Sequence, residues 1–258
     1  MKAIFTYFAK HYGWELSFPT NPDRLLQKLK EQGVDRAFTL AYTHKPGLSR
    51  SLNCWLDEYC TKHPLLIPFG AIHPLDQDLE HVITECLDQF GFLGMKLHCL
   101  VQQCRPDDKR LDPLYKALTE RSKGIIIHSG SFPQPAKEHL GVSYVANLLK
   151  RFPNLNLIIP HLGLNDLPAY SELLSEYAGL FLDTAFIFQN QIVTTPLDDI
   201  VRTILAYPDR IIYGSDFPFI LEPLQNGIRR ILDLELPGDI YKKFFYDNAA
   251  RFLARISG

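Results

Sequence analysis

The run Gly124-Ile125-Ile126-Ile127-His128 joins a wholly apolar stretch to a histidine. Three consecutive isoleucines are typical of a strand that a parallel sheet buries on both faces. A histidine directly after such a strand lies at its carboxyl end, the edge where barrels of parallel strands carry their active sites. This run therefore predicts a parallel sheet in an α/β fold, with an imidazole at the functional edge.

The same pattern, an apolar run that ends in a histidine or an aspartate, recurs along the chain. The endings are Ala-Tyr-Thr-His44, Gly-Ala-Ile-His73, Met-Lys-Leu-His98, Ile-Ile-Ile-His128, Ile-Ile-Pro-His161 and Tyr-Gly-Ser-Asp216. Successive histidines in this series are 29, 25, 30 and 33 residues apart. A barrel of eight strands in about 250 residues needs about 31 per unit. The repetition predicts that residues 1–258 form one domain, a (β/α)8 TIM barrel whose strand ends share one pocket.

Helix signals separate the predicted strands. Asn21 as N-cap and Pro22 at the first helical position predict the start of a helix, and Gly33 predicts its end. Strand and helix patterns then alternate in βα units, one unit short of a complete barrel. The shortage lies near the N-terminus, where no comparable strand ending and no His-x-His occurs. We therefore expect an incomplete or atypical first strand.

The composition is that of an ordinary globular protein, with 46% hydrophobic and 22% charged residues. The 27 basic and 29 acidic residues give a net charge of -2, which predicts neither a nucleic-acid nor a membrane partner. No run approaches the roughly 18 apolar residues of a membrane span, and five cysteines without paired spacing suit reduced thiols. We expect a cytoplasmic protein with a small-molecule substrate, and the sequence leaves monomer and homodimer both open.

Four short motifs carry a resemblance to a known family. They are Gly94–His98 (GMKLH), His128–Gly130 (HSG), His161–Gly163 (HLG) and Gly214–Pro218 (GSDFP). In this order they resemble the amidohydrolase-2 family of metal-dependent hydrolase barrels, and the likeness covers about Asn21 to Leu253. The resemblance implies that His128 and Asp216 bind a divalent metal, usually zinc. It also implies that His161 works beside that metal in acid–base or electrophilic chemistry.

The remaining metal ligands of the family, a His-x-His at the end of strand one, do not occur in this sequence. Residues Ala3–Tyr12 resemble the helix that follows strand one. Three explanations stay open. The true start lies upstream of Met1, or the chain departs from the family with a different or absent metal site, or Ile4–Phe8 itself fills the strand-one position, because its alternation also suits a strand.

Two mechanisms are compatible with these residues. A bound zinc ion lowers the pKa of its water toward about 7; Asp216 then accepts the water's proton and His161 polarises the substrate carbonyl. Either His161 or His98 could complete a site of about three protein ligands. The resemblance implies that some family members work without a metal. In that version Asp216 is a general base on free water, and Lys96 with nearby histidines stabilises the oxyanion.

Four residues are candidates for substrate binding: Lys96, His98, His44 and His73. Lys96 and His98 are two residues apart, so only one can face the barrel axis at a given level. A lysine inside a barrel is costly unless it meets an anion, which favours an anionic substrate. His44 and His73 are equally suited to capping or to anchoring loops.

The residues and the resemblance together predict an amidohydrolase-like enzyme. We expect it to hydrolyse a small carboxylate-bearing carbonyl compound (a lactone, an amide or a C–C bond), with decarboxylase or hydratase chemistry as a variant. Barrels host many reactions, so the fold alone does not choose among these. The alternative is a non-catalytic binding protein, or a degenerate amidohydrolase that has lost its metal site.

Overall fold

The chain folds into parallel strands joined by helices. Its computed structural model describes residues 18–131, 138–188 and 195–257, together with residues 6, 9–10 and 13. The strands are β1 (Ala37–Leu40), β2 (Leu66–Ala71), β3 (Gly94–His98), β4 (Gly124–His128), β5 (Asn156–Ile159), β6 (Leu180–Asp183) and β7 (Ile211–Ile212). Each strand pairs in parallel with the next one in sequence, so that the sheet has seven strands in the order β1-β2-β3-β4-β5-β6-β7. This sequential parallel order confirms the predicted α/β barrel fold.

Helices connect successive strands along the described residues. They are α1 (Pro22–Glu31), α2 (Ser49–Thr61), α3 (Leu79–Thr84), α4 (Cys99–Gln102), α5 (Asp112–Glu120), α6 (Val142–Arg151), α7 (Leu167–Glu176), α8 (Leu197–Ala206), α9 (Leu224–Leu232), α10 (Gly238–Lys242) and α11 (Asn248–Ile256). Asn21 begins α1 as predicted, since its Oδ1 accepts a hydrogen bond from the Arg24 amide at 3.1 Å. In the described part of the chain, no helix combines the length and apolar character that a membrane crossing requires.

The first strand position of an eight-stranded barrel is not filled by the described residues. β1 and β7 stand at the two ends of the sheet and each pairs with a single neighbour. Thr6, Ala9 and Lys10 are helical, as the resemblance of this region to a helix predicts. The other residues of Ile4–Phe8 lie outside the described residues. Within those limits the barrel wall has seven strands and two free edges.

Alternation along the strands divides their side chains between two hydrophobic cores. Ile125 and Ile127 of β4 face outward and join the core beneath the helices. Ile126, between them, faces the barrel interior together with Ile158 and Phe181. The isoleucine run is therefore buried on both faces, as expected of a strand in a parallel sheet.

The last helix, α11, closes the amino-terminal end of the barrel. The fully buried Phe252 inserts into the interior core, with ring centroids 5.2 Å from Phe181 and 6.3 Å from Phe38. Lys123, directly before β4, donates from Nζ to the Ile256 carbonyl at 3.3 Å. Apolar side chains fill the amino-terminal end of the barrel, and the polar strand endings lie at the carboxyl-terminal end.

The change Phe252→Ala is expected to lower the free energy of unfolding by about 3–5 kcal/mol, because it leaves a cavity among buried rings. Urea denaturation followed by circular dichroism measures the loss. Tyr246→Ala is the control, since Tyr246 is 60% exposed and surface substitutions change stability by about 0.5 kcal/mol or less. Equal losses in the two variants would contradict the assignment of Phe252 to the interior core.

Candidate active site

The inner faces of the strands carry a polar cluster at their carboxyl ends. On β3, Met95 and Leu97 belong to the outer core, so Lys96 and His98 face the interior. In the register of β3 with β4, Lys96 lies beside Ile126 and His98 beside His128. Lys96 is therefore level with the interior apolar core, and the histidines lie one level nearer the open end.

Four aromatic rings from different strand ends form a continuous row. The ring centroids of Tyr42 and His98 lie 4.6 Å apart, and His98 stacks on His128 at 4.0 Å. The His128 and His161 rings meet edge to face at 4.8 Å. The structure thus brings together three of the histidines that the sequence singled out, from the ends of β3, β4 and β5.

Hydrogen bonds determine which nitrogen of each neutral imidazole carries the proton. His161 Nδ1 lies 2.7 Å from the Ala185 carbonyl oxygen, and because a carbonyl only accepts, Nδ1 is the donor. His161 Nε2 is then an acceptor, and it receives the His128 Nδ1–H at 3.0 Å. His128 Nε2 is left with a lone pair. Burial lowers the pKa of His161 to about 4 and that of His128 well below its usual range, so both rings are neutral at pH 7.

One lysine and two aspartates are desolvated at the same end of the barrel. Lys96 is 4% exposed and Asp183 is 8% exposed. Burial lowers the pKa of Lys96 to about 8, although the charges of Asp183 and Asp216 favour its ammonium form. Burial raises the pKa of Asp183 to about 6 and that of Asp216 to about 7, although Lys96 favours both carboxylates. All three groups therefore titrate nearer to neutral pH than they would in water.

Asp216 follows β7 in a left-handed backbone conformation with φ of 65°. A residue with a side chain adopts this conformation only at an energetic cost, and such residues are found preferentially at functional sites. The Phe219 amide donates to the Asp216 carbonyl at 2.8 Å, which closes a turn around this aspartate. The backbone of the motif Gly214–Pro218 thus restricts the position of the Asp216 carboxylate after β7.

The two other predicted histidines, His44 and His73, make different contacts. His44 is exposed, whereas His73 is buried. The ring Nδ1 of His73 accepts the Leu75 amide at 3.2 Å, and its own amide donates to Asp76 Oδ2 at 2.9 Å. These bonds are those of a loop anchor, one of the two roles that the sequence left open for His73. Substrate binding by either histidine stays a prediction.

Comparison with known proteins is consistent with this geometry. Residues 23–255 match the family Amidohydro_2, described as amidohydrolase. This chain belongs to the amidohydrolase family. None of the curated proteins matches it. Membership of the family supports an enzyme, and the resemblance stated from the motifs is confirmed.

Solved structures share the barrel of this amidohydrolase at low sequence identity. The uncharacterized TIM-barrel protein Bb4693 from Bordetella bronchiseptica is 20% identical with a TM-score of 0.78, and the match covers 100% of this chain and 92% of that one. A 5-carboxyvanillate decarboxylase from Novosphingobium aromaticivorans, complexed with manganese, is 19% identical (TM-score 0.71; 93% and 82% covered). The 4-oxalomesaconate hydratase LigJ from Rhodopseudomonas palustris is 18% identical (TM-score 0.65; 93% and 85% covered). At these identities the likeness shows the fold alone.

The donor atoms decide whether this amidohydrolase can hold the metal that its family implies. Of the predicted ligands, His128 offers one lone pair and Asp216 one carboxylate, while the Nε2 lone pair of His161 is taken by His128. His98, the alternative third ligand, has a buried Nδ1 without a hydrogen-bond partner among the described residues. Among the residues that the structure describes, no group of three or more His, Cys, Asp or Glu side chains could hold a metal ion. Catalytic zinc sites use about three protein ligands. The described donors therefore do not fit a complete zinc site.

Two residues of this amidohydrolase site were not singled out from the sequence. Asp183 is the buried last residue of β6, two positions after the inward-facing Phe181. The run Leu180–Asp183 has the same form as the other endings, an apolar strand followed by a polar residue, so the pattern contained the signal. The Tyr42 ring packs against His98 at an interplanar angle of 51°, and burial raises the pKa of its hydroxyl; no pattern in the sequence marks it.

The change Asp183→Asn is expected to lower the pKa of Lys96 below about 8. Asp183 supplies the largest attraction that favours the Lys96 ammonium, and asparagine removes the charge while keeping the size. The ε-methylene signal of Lys96, followed by NMR against pH, gives the midpoint, with the exposed Lys150 as internal reference. An unchanged Lys96 midpoint would contradict the charge pairing described above.

Proposed function

We propose that this amidohydrolase is an enzyme that hydrolyses a small carboxylate-bearing carbonyl compound at the carboxyl ends of β3–β7. The observation that carries the proposal is the desolvated group of Lys96, Asp183 and Asp216, whose pKa values are all displaced toward neutrality. Burying such charges costs stability, and shifted titrations of this kind cluster at active sites. A purely structural barrel has no need of a lysine at this position.

Asp216 is the proposed proton-transfer residue. With a pKa of about 7, its carboxyl group is near half-protonated at neutral pH. A group in that state can take a proton from attacking water and return it to a leaving group, because general acid–base catalysis works best near the pKa of the catalyst. In the hydrolytic reaction Asp216 therefore removes the proton of a free water as that water adds to the carbonyl.

Lys96 is the proposed binding group for negative charge. Its pKa of about 8 keeps the ammonium charged at neutral pH, and in a desolvated site a fixed cation stabilises an oxyanion or a carboxylate strongly. His98 lies on the same strand face, and its Nδ1 is buried without a hydrogen-bond partner among the described residues. A polar substrate atom would satisfy that nitrogen.

His161 is proposed to act through His128. Its N–H is already bound to the Ala185 carbonyl, so the neutral ring has no proton to offer to a substrate carbonyl. Its Nε2 instead holds the His128 ring, whose own Nε2 lone pair remains available. We therefore assign His161 to positioning, in place of the carbonyl polarisation that the sequence suggested.

Two reaction types suit this site, hydrolysis and a lyase reaction. The decarboxylase and hydratase among the similar structures favour a lyase reaction as the variant of hydrolysis, in which Asp216 protonates the carbon that loses carbon dioxide. The second candidate is a binding protein without turnover, and it is favoured because no three metal-binding side chains are grouped together among the described residues. A cytoplasmic location is also proposed, supported by five cysteines that are all free thiols.

Asp216→Asn is expected to lower turnover about 10²–10⁴-fold, because asparagine keeps the shape and cannot carry the proton. Lactones, amides and β-keto acids, assayed with the wild-type protein, identify the substrate on which the variant is then compared. Asp76→Asn is the control, since Asp76 is a carboxylate beyond another strand end, where it binds the backbone amides of Gly47 and His73. Full activity in Asp216→Asn would refute the assigned role, and a wild-type protein that binds these compounds without converting them would favour the binding protein.

Zinc is the ion that the family resemblance implies, and the proposed mechanism has no step that depends on it. Because the described donors fall short of a zinc site, we expect turnover to survive dialysis against a chelator. Metal analysis by mass spectrometry, before and after dialysis, accompanies the assay. Stoichiometric zinc that is retained by the wild type and lost in His128→Ala would overturn the metal-independent mechanism.

A further inference from the structure

Asp183 makes contacts that none of the roles assigned so far requires. Its Oδ1 accepts the Ala185 amide at 2.8 Å and also the His161 amide at 3.3 Å. The first amide lies in the turn after β6, and the second begins the turn after β5. One carboxylate oxygen thus ties together two strand ends whose sequence positions are far apart.

His161 and Ala185, which both donate to this oxygen, are also hydrogen-bonded to each other. The Ala185 carbonyl accepts the ring Nδ1–H of His161 at 2.7 Å. The backbone amide of His161 therefore donates to Asp183, and its ring donates to Ala185, whose own amide also donates to Asp183. His161 and Leu162 are both left-handed, with φ of 59° and 52°, a conformation that persists only where surrounding bonds determine it.

The end of β7 leaves just enough room for this arrangement. A Cβ added to Gly214 would lie 3.0 Å from Asp183 Oδ1 and 2.9 Å from the Ala185 nitrogen. Both distances are shorter than ordinary van der Waals contact, so a larger residue would press on the hydrogen bond between these two groups. Glycine at 214 thus allows Asp183 and Ala185 to bind each other.

We propose that Asp183 is a positioning residue, whose Oδ1 fixes the His161 ring so that Nδ1–H faces Ala185 and the Nε2 lone pair faces His128. Without this oxygen, the backbone amides of His161 and Ala185 lose the acceptor that they share. The ring can then rotate or exchange its proton between nitrogens. The catalytic value of the arrangement rests on the proposed function, but the position of the proton can be measured without a substrate.

The test is NMR of protein labelled with ¹⁵N-histidine at pH 7, where the tautomer of each ring is read from its nitrogen shifts. In the wild type, His161 should show a single neutral tautomer with the proton on Nδ1. Asp183→Ala should lose this signal or split it between tautomers. Asp183→Asn should retain it, because the amide oxygen can still accept both backbone N–H groups.

Controls separate positioning from a general effect on folding. Asp76→Ala removes a carboxylate that also binds backbone amides at a strand end, and it should leave the His161 tautomer unchanged. Gly214→Ala keeps Asp183 but crowds its bond to Ala185, and it should disturb the tautomer even if Asp183→Ala fails to fold. The proposal is overturned if Asp183→Ala or Gly214→Ala retains the wild-type tautomer, if Asp183→Asn loses it, or if Asp76→Ala disturbs it equally.

Discussion

Burial of a lysine ammonium near two carboxylates inside the barrel is the constraint on which the rest of the site depends. An isolated ammonium at the level of Ile126 would be too costly to retain its charge. Asp183 and Asp216 reduce that cost without cancelling it, and the pKa of Lys96 accordingly falls to about 8. The three groups therefore share their charge states, and a change in one alters the other two. An anionic substrate would enter this balance as a further negative charge near Lys96.

The interior is arranged in layers that explain why the charges lie where they do. Phe252 and its neighbours fill the amino-terminal end, and Ile126 and Phe181 continue the apolar core upward. Polar side chains begin at Lys96 and are followed by the histidine row. The apolar core at the amino-terminal end excludes water from one side of the charged groups. Their pKa values are therefore shifted by desolvation.

The sequence predicted the elements whose signals are local. The isoleucine run of β4 and the Asn21 cap of α1 each depend on a few adjacent residues, and each is found in the structure. The cluster of His98, His128 and His161 followed from the barrel as a whole, since parallel strands gather their carboxyl ends. The sequence left the occupant of the first strand position open, and the described residues contain no strand there.

What the sequence could not show is which contacts a polar side chain makes once it is buried. Asp183 binds backbone amides at His161 and Ala185, and backbone groups leave no mark in the pattern of residue types. The loop-anchoring bonds of His73 are hidden for the same reason. The tautomer of His161, likewise, depends on a carbonyl 24 residues away. These features arise from tertiary packing, which the order of residue types does not specify.

The central claim is that the desolvated strand endings form one binding site for a small carboxylate. The most direct measurement is an NMR titration of ¹⁵N-histidine-labelled protein with acetoacetate, a small β-keto acid, in which the nine histidines serve as reporters. Binding at the proposed site predicts saturable shifts of His98, His128 and His161, with the exposed His81 and the half-buried His139 unchanged. Shifts confined to His81 and His139 would place the carboxylate elsewhere and contradict the account.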